Sequence, residues 1–447
     1  MLSSTTIERP PGPSIANLRG MREDPLGFPI EMQRRWGQFI YSPVGPGFRP
    51  TFFLFNPETV EQVLVTRRDN YVKSLVLRRL KAVFGESVLT SEGDLWKRSR
   101  RLLAPAFHRK ALMQYVEAMD RCTVRAVDRM LAAGRFPLQQ HMMEMTLDIA
   151  MECFFGSSAA GVTERVDQGM NDILGFADLA IGTLVQVPTW FPHPRAARFR
   201  RGMRTLTDVV NELIAQRRAT GEERGDVLGL LLAARDDDGS ALTDQEIRDE
   251  VITLLLAGHE TTALALTYTL FLLSHRPALV AELRDEMARE IPDGAAPDFA
   301  SLGRLRLQDQ CFKESLRLYP PVGIIGREAV AADELEGWQV PAGAQMIMSI
   351  WAIQHDPRYY EEPWSFRPDR WTEAFERDLP RYAFFPFGGG HRVCIGDAFA
   401  KLEARVVLYR VLERLDLMPE QTDLPPMNLA VTMRPSREVF LTARARR

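Results

Sequence analysis

Apolar residues recur at three- and four-residue steps along much of this chain, the spacing of one helix face. The periodicity predicts helices over Leu95–Leu131, Arg204–Gln216, Glu246–Ser274, Ala278–Glu290, Leu305–Leu318 and Ala398–Leu415. Strand-like stretches are few and short: Phe39–Ser42, Thr51–Phe55, Gln345–Ile350 and Val439–Ala443. No internal repeat is visible. The acidic run Asp236–Asp238, followed by Gly239, reads as a surface loop rather than a boundary. The pattern therefore predicts a mainly α fold with small β-sheets, one domain over residues 1–447, with residues 1–20 as an extended or poorly ordered arm.

One helix stands apart. Thr243-Asp-Gln-Glu246 matches a capping box, in which the Thr hydroxyl and the Glu carboxylate satisfy each other's backbone N–H. From there the chain meets no proline until Pro277. The helix would be roughly 32 residues and about 48 Å long at 1.5 Å per residue, enough to cross the whole domain. Its middle, Leu254-Leu-Leu-Ala-Gly-His-Glu-Thr-Thr262, is apolar and then abruptly polar. A glycine inside a helix costs about 1 kcal/mol relative to alanine, and polar groups in a buried helix need partners. Local rules broken together at mid-helix point to a functional site.

Composition narrows the class. With 447 residues, the chain can bury a large core and still enclose a pocket. The net charge of −3 favours neither nucleic acid nor an anionic membrane as a partner. Of the 56 basic residues only six are lysine, the bias of a GC-rich bacterial genome. The start, MLSSTTIERPPGPS, lacks a signal-peptide pattern, and no run of 18 apolar residues provides a transmembrane anchor. A cytoplasmic location is expected. The cysteines Cys122, Cys153, Cys311 and Cys394 fit no zinc or disulfide framework. Three of them read as buried thiols in helices.

Cys394 differs. It closes the stretch Phe384-Phe-Pro-Phe-Gly-Gly-Gly-His-Arg-Val-Cys-Ile-Gly396 and leads into a helix. Glycines let a backbone approach a bulky ligand closely. A helix start favours an anion, and so a thiolate. A lone thiolate is not a tetrahedral zinc site; it suits a metal that takes one protein ligand, as haem iron does.

Phe387-x-x-Gly390-x-Arg392-x-Cys394-x-Gly396 resembles the full haem-binding signature of the cytochrome P450 superfamily. Further marks carry the same resemblance. Ala257-Gly-His-Glu-Thr-Thr262 is similar to the family's oxygen-activation motif, and Trp96-x-x-x-Arg100 to its haem-propionate motif. Glu314-x-x-Arg317 and Phe366-Arg-Pro-Asp-Arg370 are similar to the segments that form a buried ion network. The resemblance implies the P450 fold and haem b (iron protoporphyrin IX), with Cys394 as the metal ligand. Phe387 and Gly396 would pack near the haem. Arg392, Arg100 and Trp96 would meet its propionates, with Arg327 a further candidate. Glu314, Arg317 and Arg370 would be structural.

Thr261 and Glu260 are the candidate catalytic pair. The Thr261 hydroxyl would hold a proton over the reacting oxygen and Glu260 would relay protons from solvent. The competing reading of Thr261 is a hydroxyl bonded back to an earlier carbonyl. His259 and Thr262 read as structural or surface residues. The family's pocket positions fall on Leu89, Ala257, Val322, Ile324, Ile325 and Val431, with Phe176–Val187 as a roof. All are apolar, which favours an apolar or amphipathic small substrate. Lys97, Arg98, Arg101, Arg109, Lys110 and Lys401 cluster where an acidic partner could be steered. No reductase-sized stretch comes after Leu415, so electrons are expected from a separate ferredoxin or flavodoxin with its reductase.

The expected function is insertion of one atom of dioxygen (O2) into an organic molecule. Oxidative coupling or cyclisation without insertion is the alternative within the fold. A peroxide-driven enzyme would carry Arg and Pro in place of Glu260-Thr261, and a non-catalytic haem or ligand carrier would have no need of Thr261.

Overall fold

The computed structural model describes residues 9–14, 20–43, 45, 47, 49–156, 162–182, 189–222, 224–235, 239–292, 295–429 and 431–446. Most of the residue 1–20 arm and the Asp236–Asp238 run lie outside them. The helix opened by Thr243 runs Asp244–Ser274, and both halves of its capping box are made. Thr243 Oγ1 accepts from the Glu246 N–H at 3.2 Å, and Glu246 Oε2 accepts from the Thr243 N–H at 2.8 Å. The helix stops at His275, and Pro277 opens the next helix, Pro277–Glu290. There its missing N–H costs nothing.

Around this long helix pack Leu138–Phe155, Pro194–Thr220, Arg306–Leu318 and Asp397–Arg414. Among the described residues it is the one helix long and apolar enough to cross a membrane, and it is buried inside the protein. The periodic stretch from Leu95 to Leu131 divides into Gly93–Leu103 and Arg109–Ala133, joined by a 3₁₀ turn, Ala104–Phe107. Pro105 explains the break, because it has no N–H to continue the ladder and its ring collides with the preceding turn. Leu138–Phe155 is a further helix, largely buried, with Gln140, Glu144, Asp148 and Glu152 forming a polar stripe at four-residue steps.

The main sheet has five strands in the order Phe39–Ser42, Thr51–Leu54, Gln345–Ser349, Ile324–Ala329 and Tyr71–Lys73. Only the Thr51–Leu54 and Gln345–Ser349 pair is parallel. A three-stranded sheet joins Arg135–Pro137, Phe440–Ala445 and Leu415–Pro419. Met427–Leu429 and Met433–Pro435 form a hairpin near the C-terminus. The helices share one apolar core and the main sheet another.

The helix Arg306–Leu318 is tied to the chain beyond it by one carboxylate. Glu314 accepts from Arg317 (Nε 2.9 Å, Nη2 2.8 Å), Arg370 Nε (3.0 Å), Trp371 Nε1 (2.9 Å) and the Arg367 N–H (3.1 Å). Glu314 and Arg317 are wholly buried. Arg317 spends its remaining N–H groups on the carbonyls of Gln354, Pro363 and Ser365. Gln354 carries the connection onward: its amide donates to the carbonyls of Leu316 and Arg317, and its Oε1 accepts from the Phe385 N–H. The ion network is thereby linked to the start of the cysteine loop.

Removing one partner from such a site leaves buried charge uncompensated. Glu314→Gln is therefore expected to lower the free energy of unfolding by about 3–5 kcal/mol, measured by urea titration. A loss under about 1 kcal/mol would mean that hydrogen bonds of ordinary weight hold this segment.

Candidate active site

Cys394 sits between the 3₁₀ turn Gly390–Arg392 and the helix Asp397–Arg414, whose N-cap is Gly396. Its own N–H donates to the Phe387 carbonyl at 3.0 Å. The loop requires glycine where it turns. Gly390 has φ +65°, and a Cβ there would stand 2.0 Å from the Leu64 carbonyl oxygen. The cysteine is exposed, yet the protein around it pushes the thiol up by desolvation. The Gly396 N–H and the Arg100 charge pull the other way and are outweighed. The helix start does favour the thiolate, as its position suggests, but burial dominates. A thiol both desolvated and accessible faces an internal space.

Beside it lies a cluster of cations. Arg392 stacks over the Trp96 ring at 3.9 Å, and the His391 ring meets the same indole edge-on at 5.2 Å. Arg100 donates to the Val393 carbonyl at 2.7 Å. Arg392 pairs with Glu92, which also accepts from the Lys73 N–H at 2.6 Å. In the sheet register Lys73 stands opposite Arg327, an unfavourable pairing of like charges. Burial, with Arg392 adding to it, pushes Lys73 down to about 7. Burial also brings Arg392 down to about 10, Glu92 opposing and Arg327 and Arg100 adding to the shift. Among the described residues Arg100 and Arg327 have no carboxylate ion pair, and His391 Nδ1 is buried without a partner. The cluster holds more positive charge than Glu92 neutralises, so it suits a ligand that brings carboxylates.

The centre of the long helix faces a space as well. Ala257 is exposed and Gly258 and Thr261 partly so, in a helix buried on nearly all other sides. A Cβ on Gly258 would lie 3.9 Å from the Phe154 ring, and one on Gly396 would lie 3.8 Å from Phe107 and 3.9 Å from the Cys394 sulfur. Phe107, Phe154 and Phe399 contact one another. One aromatic cluster thus separates the middle of the long helix from the cysteine loop. Thr261 Oγ1 donates back to the Ala257 carbonyl at 2.8 Å. Glu260 points elsewhere: it is buried and held by Thr432 (2.5 Å) and by Arg434, whose Nε lies 2.6 Å away. A free carboxylate relaying from solvent is not what this geometry shows. His259 and Thr262 are buried rather than on the surface.

The segments that carry the predicted pocket positions are tied together in two pairs. Val88 donates its N–H to Glu250 and Glu86 donates to Asp249, which brings the Leu89 loop against the long helix. The Met433 N–H donates to the Pro321 carbonyl, and a Cβ on Gly323 would stand 2.7 Å from the Met433 sulfur. That joins the Val322–Ile324 stretch to the C-terminal hairpin and Val431. Leu89, Val322, Ile324 and Val431 are half-buried. Ile325 is placed differently. Successive strand residues point to opposite faces, and Ile325 packs against the main sheet's own core. Phe176 stacks on Phe199 at 4.7 Å within the helical core; the side chains of residues 177–182, and residues 183–188 altogether, lie outside the described residues.

Comparison with known proteins assigns the family. A family model for Cytochrome P450 matches residues 9–442. The chain belongs to the cytochrome P450 family. It is 33% identical to "Cyclooctatin synthase" of Streptomyces melanosporofaciens over 89% of this chain and 87% of that one. It is 32% identical to "Pentalenene oxygenase" of Streptomyces avermitilis over 97% of this chain and 96% of that one. It is 30% identical to "Cyclooctat-9-en-7-ol 5-monooxygenase" of S. melanosporofaciens over 93% and 92%. The protein is thus an oxidative enzyme of the P450 type, a family that implies haem b.

Several residues of this P450 site escape sequence reasoning. Glu92 and Lys73 read as ordinary charges, and Thr432 and Arg434 lie 172 and 174 residues from the carboxylate they hold. Trp371 is a further donor to Glu314. The like-charged Lys73 and Arg327 positions become a signal only once their strands are paired. The expected docking cations also divide. Lys97, Arg101, Arg109 and Lys110 are exposed, whereas Arg98 turns inward to Glu246 at 2.5 Å. Lys401 binds Asp397 and lies over the Phe387 ring.

Burial pushes His259 down to about 4 from an ordinary value near 6.5. The unfolded chain therefore takes up this proton first as the pH falls. The stability contributed by the neutral ring is present above about 6.5 and is lost as the pH falls toward 4. In His259→Leu, the free energy of urea unfolding is expected to vary less steeply across that window. An unchanged slope would mean that His259 is not held neutral in the folded P450.

Proposed function

We propose that this P450 is a haem–thiolate monooxygenase that inserts one oxygen atom from dioxygen into an apolar or amphipathic small molecule. The observation that carries the reading is Cys394, an accessible thiol inside a desolvating shell, set beside cations short of counter-charge. Cys394 would bind the iron of haem b, and Phe387 and Gly396 would pack beside it. Arg100, Arg327, Arg392 and Trp96 would take the propionates, since a guanidinium fork matches a carboxylate and stays charged. Lys73 and His391 stand close enough to share that role. A haem held by a thiolate activates dioxygen for transfer of one atom to carbon, the other leaving as water.

The chain's own part is to place a proton and exclude others. Thr261 faces the space at the helix centre, and its hydroxyl can turn from the Ala257 carbonyl toward a bound ligand. Glu260, fixed by Thr432 and Arg434 away from that space, would act by holding the helix turn that presents Thr261. Ala257, Leu89, Val322, Ile324 and Val431 offer apolar surface, worth roughly 25 cal/mol per Å² buried, so the group presented there should be uncharged. Two of the similar proteins are named for oxygenation reactions, which supports insertion over coupling. Electrons would come from a separate ferredoxin or flavodoxin with its reductase, steered to the face of Lys97, Arg101, Arg109 and Lys110.

Replacing Cys394 with His and reducing the protein under carbon monoxide tests the ligand. The strongly red-shifted Soret band of a thiolate-bound haem should be present in the wild type and vanish in the variant. A variant that keeps the band refutes the assignment. Thr261→Ala should still consume reductant but release hydrogen peroxide. Its product per reductant should fall on the order of 100-fold, the weight of a positioned proton donor. Product unchanged per reductant would remove Thr261 from the chemistry.

A further inference from the structure

The turn that carries Leu89 is folded with its polar side chains inward. Ser87, Thr90 and Ser91 are wholly buried, while Val88 and Leu89 are half-buried. The Ser87 carbonyl accepts from the Thr90 N–H (3.0 Å), the Ser91 N–H (2.8 Å) and the Ser91 hydroxyl (2.6 Å). Thr90 Oγ1 donates to the Gly85 carbonyl at 2.6 Å. The turn thus spends these hydroxyls on its own backbone and that of Gly85. Other elements take the backbone groups of Val88 and Ser91.

Both Glu250 oxygens accept from the Val88 N–H, at 3.0 and 3.1 Å. Lys73 Nζ donates to the Ser91 carbonyl at 2.7 Å and to the Val88 carbonyl at 3.4 Å. Arg392 Nη1 also donates to the Ser91 carbonyl, at 3.1 Å. Glu250 comes from the long helix and Lys73 from the strand Tyr71–Lys73; each is 4% exposed, and among the described residues neither makes an ion pair. Burying an unpaired charge is costly, and burial pushes the Glu250 carboxyl up to about 7 and Lys73 down to about 7. In either protonation state the carboxyl still accepts and the amine still donates. Glu250 stands eleven residues before Thr261. At 3.6 residues per turn that separation is about 20° around the helix and about 16 Å along it. Glu250 therefore shares the face that presents Ala257 and Thr261.

We propose that Glu250 and Lys73 are positioning residues that clamp the Leu89 turn and so set the size of ligand this P450 admits. Val88 is held at its N–H and its carbonyl, and Ser91 at its carbonyl, so Leu89 has little freedom between them. The turn stands at the outer end of the long-helix face whose inner part carries Ala257 and Thr261. A fixed Leu89 limits the space in front of that face, and a loose one lets longer apolar molecules in. This role rests on the reading of Leu89 as a pocket wall under the proposed function, and it adds what holds the wall in place.

Amide exchange and ligand size test the clamp together, on the haem-loaded enzyme. In the wild type the Val88 amide should exchange slowly with deuterium. Glu250→Leu keeps bulk without an acceptor, and Glu250→Gln keeps an oxygen for the Val88 N–H. Exchange of the Glu86–Glu92 segment should rise roughly 2- to 10-fold in Glu250→Leu, the weight of one hydrogen bond, and stay within about twofold of wild type in Glu250→Gln. The size readout is the ratio of Kd values for a small azole, phenylimidazole, and a large triaryl one, clotrimazole, each followed by the Soret shift. That ratio should move toward clotrimazole by roughly 2- to 10-fold in Glu250→Leu and hold in Glu250→Gln. A residue that only stabilises the fold would leave the ratio where it is. If Glu250→Leu does not fold, Lys73→Met loosens the same turn from its other end and should show both changes. A Val88 amide that exchanges freely in the wild type, or a folded Leu or Met variant with the wild-type ratio, overturns the proposal. A wild type lacking the thiolate carbon-monoxide band would instead sink the functional reading, and the exchange of Val88 would still decide whether the turn is clamped.

Discussion

One buried carboxylate organises the half of the protein that carries the cysteine. Glu314 gathers five donor contacts from Arg317, Arg367, Arg370 and Trp371 with no water in reach of its side chain. A charge in that position is tolerable only if every lone pair is used. The demand is geometric, so the segments that supply the donors have little freedom. Arg317 passes the constraint to three carbonyls and Gln354 passes it to Phe385. The Trp371 ring continues it by packing against Phe384, 4.6 Å away. The loop that presents Cys394 is thus held from behind, without covalent help.

The long helix solves the opposite problem. It must carry polar groups through an apolar core, and it satisfies several of them within itself. The hydroxyls of Thr261, Thr262, Thr267 and Thr269 donate to carbonyls four residues back, while Glu260 reaches Thr432 and Arg434 in the C-terminal hairpin. The exposed Ala257 surface lies at the same level of the helix.

How much of this can be read from the sequence depends on how local each signal is. The long helix is legible from Thr243, Glu246 and Pro277, because capping and proline effects act within a few residues. The cysteine loop is legible because Gly388, Gly390, Arg392 and Cys394 lie in one short run. Contacts across the fold are not. Arg98 reads as a docking charge until Glu246, 148 residues away, is brought beside it. Ile325 reads as a pocket residue until the strand Ile324–Ala329 assigns it a face. Leu138–Phe155 does carry a local signal, the polar stripe Gln140, Glu144, Asp148 and Glu152 at four-residue steps, which a search on apolar spacing alone does not pick out.

That same strand limits how this scaffold can diverge. Its register is pinned at both ends: the Trp351 N–H donates to the Gly323 carbonyl, and Arg327 sits opposite both Lys73 and Met346. A slip of one residue in a strand sends every side chain to the other face. An inserted or deleted residue after Pro321 would therefore swing Arg327 away from Lys73 and carry Ile325 out of the sheet's core at one stroke. Surface loops can explore new lengths over generations. This wall can change only by exchanging one side chain for another, so its evolutionary history should be written in substitutions and never in gaps.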